Sequence, residues 1–147
     1  MGVLRFVRPL DADCAEWLDR EGIAHPASSA LDRRPTPREV AEVLRDLPGF
    51  AATITASSES GEWDAMIEAC DPADPSWTVL RIRNYGDDDA PHDLCFHKGF
   101  AEVVLLVVER LTRFCGPLVV VNDTGSPPIV VRPGDSISDL LRHHEEI

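Results

Sequence analysis

The stretch DLCFHKG (93–99), FAEVVLLVVERLTRFCG (100–116) and PLVVVNDTGSPPIVVRP (117–133) decides the fold. It reads as a short strand, one long apolar helix, and a pair of strands joined by a Gly/Pro turn. Phe100, Val103, Val104, Val107, Leu111 and Phe114 recur at helical spacing and share one face of a 3.6-residue repeat, with Glu102, Glu109 and Arg113 opposite. Gly116 predicts a left-handed C-terminal cap, and Pro117 forbids continuation of the helix. Leu106 falls inside the polar stripe. A single exposed leucine is the simplest reading; the alternatives are a second covering layer or a homodimer contact through that face. If Leu94 to His97 and Leu118 to Val121 are parallel neighbours, the helix between them is a right-handed crossover.

Upstream, Val3 to Val7 reads as a strand ended by Pro9. Asp11 caps a short helix from Ala12 to Arg20, with Trp17 and Leu18 inward and Gly22 at its end. A loop from His25 to Pro35 leads to Thr36-Pro37-Arg38-Glu39, a capping box with proline at the first helical position. This predicts a helix from Pro37 to about Leu47 with Val40, Val43, Leu44 and Leu47 on its core face. Phe50 to Ala56 reads as a strand. In Trp63 to Cys70 the odd positions Trp63, Ala65, Ile67 and Ala69 are apolar, and in Trp77 to Asn84 the even positions Leu80 and Ile82 are. Opposed residues of an antiparallel hairpin have a constant sum of numbers, and an odd sum puts both apolar sets on one face. Asp64 and Glu68 then lie near Arg81 and Arg83 on the other face. Leu94 and Phe96 point inward, which leaves Cys95 and His97 outward. Ser136-Ile137-Ser138-Asp139 opens a last helix with Ile137, Leu140 and Leu141 inward and HHEEI (143–147) fraying into solvent. The expected architecture is a single α+β domain over residues 1–147, a mainly antiparallel sheet of five or six strands with helices packed mostly on one face.

A chain of 147 residues is large enough to bury a core without disulfides or metals. No signal-peptide pattern opens it and no apolar run reaches the roughly 20 residues of a membrane helix, so a soluble cytoplasmic protein is expected. Cys14, Cys70, Cys95 and Cys115 lack zinc spacing and read as reduced thiols. One lysine against thirteen arginines suggests a GC-rich, bacterial coding sequence. Of the net charge of −12, residues 59–93 carry −8, with two basic and ten acidic side chains. Such a field repels nucleic acid and anionic membranes and attracts a basic protein.

Asp123-Thr124-Gly125-Ser126, between the apolar runs 118–121 and 129–131, resembles the active-site loop of aspartic proteases, including the half-size homodimeric type. The resemblance implies a paired-carboxylate hydrolase in which Asp123 of two chains share a proton. Asn122 stands where that family is usually apolar, and two prolines follow Ser126, so the plain reading is a hairpin turn. Asp93, Cys95 and His97 alternate along one strand and would face a metal or form a Cys/His nucleophile pair, against the plainer reading of a solvated sheet face. Asp87-Asp88-Asp89 lacks the alternating spacing and glycine of a calcium loop, and His143-His144-Glu145-Glu146 reads as a frayed terminus despite its metal-like composition. No cofactor motif occurs.

The function expected from these features is a small acidic protein-binding module, in its most concrete form a bacterial immunity or antitoxin-type protein that holds a basic partner. Its expected binding residues are Asp71, Asp74, Asp87, Asp88 and Asp89 as steering charges, Trp77 as an aromatic anchor, and Arg81, Arg83 and His97 on the outer sheet face. The enzyme alternative is the Asp123 hydrolase or a Cys95/His97 site.

Overall fold

Short capping motifs and period-two apolar patterns place eleven elements along the chain. They are β1 (Leu4–Pro9), α1 (Ala12–Arg20), α2 (Pro37–Arg45), β2 (Phe50–Ser57), β3 (Glu62–Ala69), β4 (Trp77–Ile82), β5 (Leu94–Gly99), α3 (Ala101–Cys115), β6 (Leu118–Asn122), β7 (Ile129–Val131) and α4 (Ile137–Glu145). The computed structural model describes residues 3–27 and 32–145, with side chains described as far as 142. The side chains of His143, His144, Glu145 and Glu146 therefore lie outside the described residues, as do Ser28 and Ser29 of the first long loop.

The strands form one antiparallel sheet in the order β2-β3-β4-β5-β1-β6-β7. The α+β class holds, but the strands among the described residues number seven rather than five or six, because β1 and the three-residue β7 both join the ladder. β5 and β6 run parallel to one another without being neighbours, since β1 lies between them and is antiparallel to both. Apolar side chains on both faces of β1 suit that central place. Val7 faces the main core, and Leu4 and Phe6 face the other way, opposite His97 and Cys95.

The β3–β4 hairpin takes the odd register, with Asp64 opposite Arg81 and Ala65 opposite Leu80. Trp63, Ala65, Ile67, Leu80 and Ile82 are all buried on one face. On the other face Asp64 and Arg81 pair at 2.9 Å, each about half exposed, which contributes a few tenths of a kcal/mol at most. Glu68 falls opposite Trp77 rather than an arginine, and Arg83 lies beyond the end of β4, so the second expected cross-strand pair does not form.

α3 departs most from the simple amphipathic reading. Val103, Val104, Val107 and Leu111 are buried as their spacing requires, but so are Leu105, Val108, Glu109, Thr112 and Cys115. The helix lies on the sheet between α2, which also touches β2, and α4, which also touches β7, so it is covered from beneath and along both flanks. Leu106 packs against the same core but is only half-buried, in the stripe with Glu102, Arg110 and Arg113 that stays partly or fully exposed. The expected face ends at neither Phe100 nor Phe114, which stand at the extremities of the helix and are exposed. Glu109, expected in solvent, is buried and compensated. Its carboxylate accepts from Arg113 at 3.0 and 3.2 Å and from the backbone N–H of Gly134 at 3.3 Å. Gly116 takes φ 74°, ψ −173°, an extended glycine conformation rather than the expected left-handed helical one, and it turns the chain directly into β6.

α2, α3 and α4 share the main core. α1 packs on the opposite face at the β6–β7 end, where Leu10, Cys14 and Leu18 meet Val119 and Val130. Trp17, at the margin of that cluster, has the Arg8 guanidinium over its ring at 5.3 Å. Among the described residues, no helix packs on the face of β2, β3, β4 and β5 away from α3.

The capping box of α2 is tied into the loop before it. Thr36 Oγ1 accepts from the Glu39 N–H, Glu39 accepts from the Thr36 N–H, and Arg33 donates to both Glu39 oxygens at 2.7 Å. Hydrogen bonds from Arg33 lower the Glu39 carboxyl below its ordinary value of 4.5, against the opposing effect of burial. A carboxyl lowered by folding contributes stability that is complete above its unfolded value and is lost as pH falls through the folded one. The stability difference between wild type and Glu39→Gln, measured by urea denaturation, is therefore expected to be constant near neutrality and to shrink steadily below pH 4.5. A difference independent of pH down to acid unfolding contradicts this role. Thr36→Ala is expected to cost about 1 kcal/mol in the same assay.

Candidate binding surface

Period-two alternation decides what this open sheet face presents. Thr53 and Thr55 come from β2, Asp64, Met66 and Glu68 from β3, Trp77, Val79 and Arg81 from β4, and Cys95 and His97 from β5, in the registers of the ladder. Two concavities of opposite character lie at its ends.

The first has a volume of about 430 Å³ and is lined by Met66, Glu68, Ala69, Asp71, Pro72, Asp74, Pro75, Ser76 and Trp77. Among the described residues, no lysine, arginine or histidine lines it. Its rim is the loop DPADP (71–75), shaped by two short carboxylate turns in which Asp71 accepts from the Ala73 N–H at 2.9 Å and Asp74 from the Ser76 N–H at 3.0 Å. Hydrogen bonding from Ser76, whose backbone N–H is the donor, holds the Asp74 carboxyl below the usual range, so it is ionised at neutral pH. The buried Ser76 also donates to Glu102 at 2.8 Å, anchoring the loop to the first turn of α3.

Trp77 is set from beneath. The Phe100 N–H donates to the Trp77 carbonyl at 2.8 Å, and the Thr78 hydroxyl donates to the Lys98 carbonyl at 2.9 Å. β5 bends here through a register shift opposite Thr78 and Val79, with Lys98 at φ 59° and Gly99 at φ 85°. A Cβ at Gly99 would lie 2.7 Å from the Thr78 Cα and 2.9 Å from the Trp77 carbonyl carbon, so glycine is required for this approach. The indole is half-buried on the outer side of β4, as its parity predicts.

The second concavity, about 510 Å³, is lined by Leu4, Phe6, Asp64, Arg81, Arg83, Cys95 and His97, among others. Burial pushes the Cys95 thiol up, with Arg83 and Arg81 opposing, and its Sγ donates only to the Phe96 carbonyl, at 3.9 Å. Burial lowers His97, and Arg81 adds to the effect. Thiol and imidazole are therefore both neutral near pH 7, a poor arrangement for a Cys/His nucleophile. Asp93 does not join them, because its carboxylate is held by Arg34 from the loop before α2. Among the described residues no group of three or more histidine, cysteine, aspartate or glutamate side chains is placed to hold a metal ion. No described helix is long and apolar enough to cross a membrane.

The remaining sequence-predicted residues lie elsewhere. Asp89 pairs with Arg38 at 2.7 Å, Asp88 accepts from the Tyr85 hydroxyl at 2.7 Å, and Asp87 accepts from the Asp89 N–H at 2.8 Å. These three aspartates shape a loop packed beside α2, at the opposite end of β4 from Trp77. Asp123 occupies an exposed turn, where its carboxylate accepts from the Leu4 N–H at 3.1 Å and its own N–H donates to the Leu4 carbonyl. It closes the end of β1 against β6. Sequence reasoning missed Glu68 and Met66 as neighbours of Trp77, although the outer parity of β3 already placed both beside the acidic loop. Compared with known proteins, the chain matches no family model, no curated protein and no solved structure.

The thiols test the burial pattern directly. With a neutral alkylating reagent at pH 8, Cys70, which is exposed, is expected to react fast, and Cys14, Cys95 and Cys115 only on unfolding. For Cys115, burial raises the thiol to about 12, which adds a chemical barrier to the steric one. Rapid labelling of Cys95 in the native protein contradicts the geometry of the outer face.

Proposed function

We propose that this protein is a binding module that captures a basic segment of a partner protein in the concavity beside Trp77. The observation that carries this reading is the union of three carboxylates, Glu68, Asp71 and Asp74, with an indole and a thioether in one recess lined by no cation. An arginine or lysine side chain entering it would lay its apolar stem on Met66 and Trp77 and meet carboxylates at the rim. The net charge of −12 would steer such a partner in, making association fast and salt-dependent. Asp87, Asp88 and Asp89 contribute to that field at long range. Arg81, Arg83 and His97 line the other concavity and would meet a different, less basic part of the same partner. Neutralisation of a basic toxin by an intracellular immunity or antitoxin-type protein is the biological role of this chemistry, supported by size and charge.

Titration with an arginine-rich peptide at low and at physiological salt tests this. Wild type is expected to bind with an affinity that falls steeply with salt. The double variant Asp71→Asn/Asp74→Asn, which keeps the loop-shaping acceptors, is expected to lose roughly tenfold or more and to show a shallower salt dependence. Equal binding by wild type and this variant, with loss on neutralising Asp87, Asp88 and Asp89 instead, would move the site away from Trp77.

A further inference from the structure

The two edges of the sheet are protected very differently. β7 is three residues long and is preceded by Pro127-Pro128, which blunt it as a pairing template. β2, the other edge, is eight residues long, FAATITAS, with no charge, no proline and an unbroken register against β3. In a chain of net charge −12, an uncharged edge strand of that length lacks the usual devices against strand pairing.

The hydrogen-bond phase shows which peptide groups point away from β3. The Cys70 N–H donates to the Gly49 carbonyl, one step beyond the pair Phe50 and Ala69, so odd-numbered residues of β2 direct their peptide groups toward β3. Ala52, Ile54 and Ala56 then direct theirs outward from the edge. Ile54, at the middle of these, is 41% exposed on the face that carries the main core.

We propose that β2 pairs antiparallel with β2 of a second copy of this chain about a two-fold axis through Ile54. On that axis Ile54 meets Ile54, and Ala52 meets Ala56 twice. These three pairs each exchange two backbone hydrogen bonds, so every free peptide group of the strand centre is satisfied. Ile54 covers its own counterpart on the core side. On the outer side Thr53 meets Thr55, a favourable cross-strand pair, and no like charges are opposed. This self-complementarity selects a second copy over an unrelated strand, and it sets two open faces side by side in a continuous sheet. The contact is narrow, so a roughly micromolar dimer is expected.

Sedimentation equilibrium across a concentration series tests the proposal. Wild type is expected to show a reversible monomer–dimer equilibrium. Ile54→Lys, which places two ammonium groups on the axis at an exposed position, is expected to raise the dimer dissociation constant by about 100-fold or more. Met66→Lys, on the outer face away from the edge, is expected to leave it unchanged. As a check independent of the charged variant, Ile54→Cys in a Cys70→Ser background is expected to form a disulfide-linked dimer on mild oxidation, and Met66→Cys in the same background is not. A wild type that stays monomeric at all concentrations, a dimer that survives Ile54→Lys, or equal cross-linking at positions 54 and 66 would each overturn the proposal.

Discussion

The interaction on which this structure depends is the burial of α3 against the sheet and between α2 and α4. A helix that carries Val103, Val104, Leu105, Val107, Val108 and Leu111 within three turns cannot rest one stripe on a sheet and leave the remainder in water. It needs the sheet beneath and a neighbouring helix on each flank, and α2 and α4 supply those flanks. Most of the remaining architecture follows from this demand. α2 must be capped and fixed, which Thr36, Glu39 and Arg33 accomplish together. The one carboxylate caught inside the layer, Glu109, must be neutralised by Arg113 and the Gly134 N–H.

Concentrating three helices on one face leaves the other face of β2 to β5 uncovered, and that asymmetry creates the surface proposed for binding. The outer sides of β3 and β4 need only be compatible with water, so they are free to carry Asp64, Met66, Glu68, Trp77 and Arg81. The loop DPADP then folds over one end, held to α3 through Ser76 and Glu102. The packed helix and the open recess are thus mechanically joined, and Trp77 sits on a rigid floor rather than on a mobile loop. Gly99 gives that floor its shape, because only glycine lets β5 come so close to the backbone at Trp77 and Thr78.

Much of this was legible in the sequence, and for identifiable reasons. The capping residues Asp11 and Thr36 fixed two helix starts to the residue, since a cap is a local chemical event. Opposite parity in β3 and β4 gave the hairpin register, and with it the outer positions of Trp77 and Arg81, while the inward Leu94 and Phe96 of β5 left Cys95 and His97 outward. Long-range placement was less legible. Nothing local tells β1 to insert between β5 and β6, although its apolar residues on both faces are consistent with a central strand. The burial of Glu109 was hidden because its compensating Gly134 N–H lies 25 residues away. The aspartates also looked alike in sequence, yet Asp89 is engaged by Arg38 while Asp71 and Asp74 border a recess lined by no cation.

Amide hydrogen exchange with and without a saturating arginine-rich peptide tests the central claim, that the helices hold one face and leave the other for a basic partner. The account predicts slow exchange in α3 under both conditions and new protection confined to the segment from Met66 to Thr78. Protection appearing instead on α2 and α4, or no change anywhere on the sheet, would contradict it.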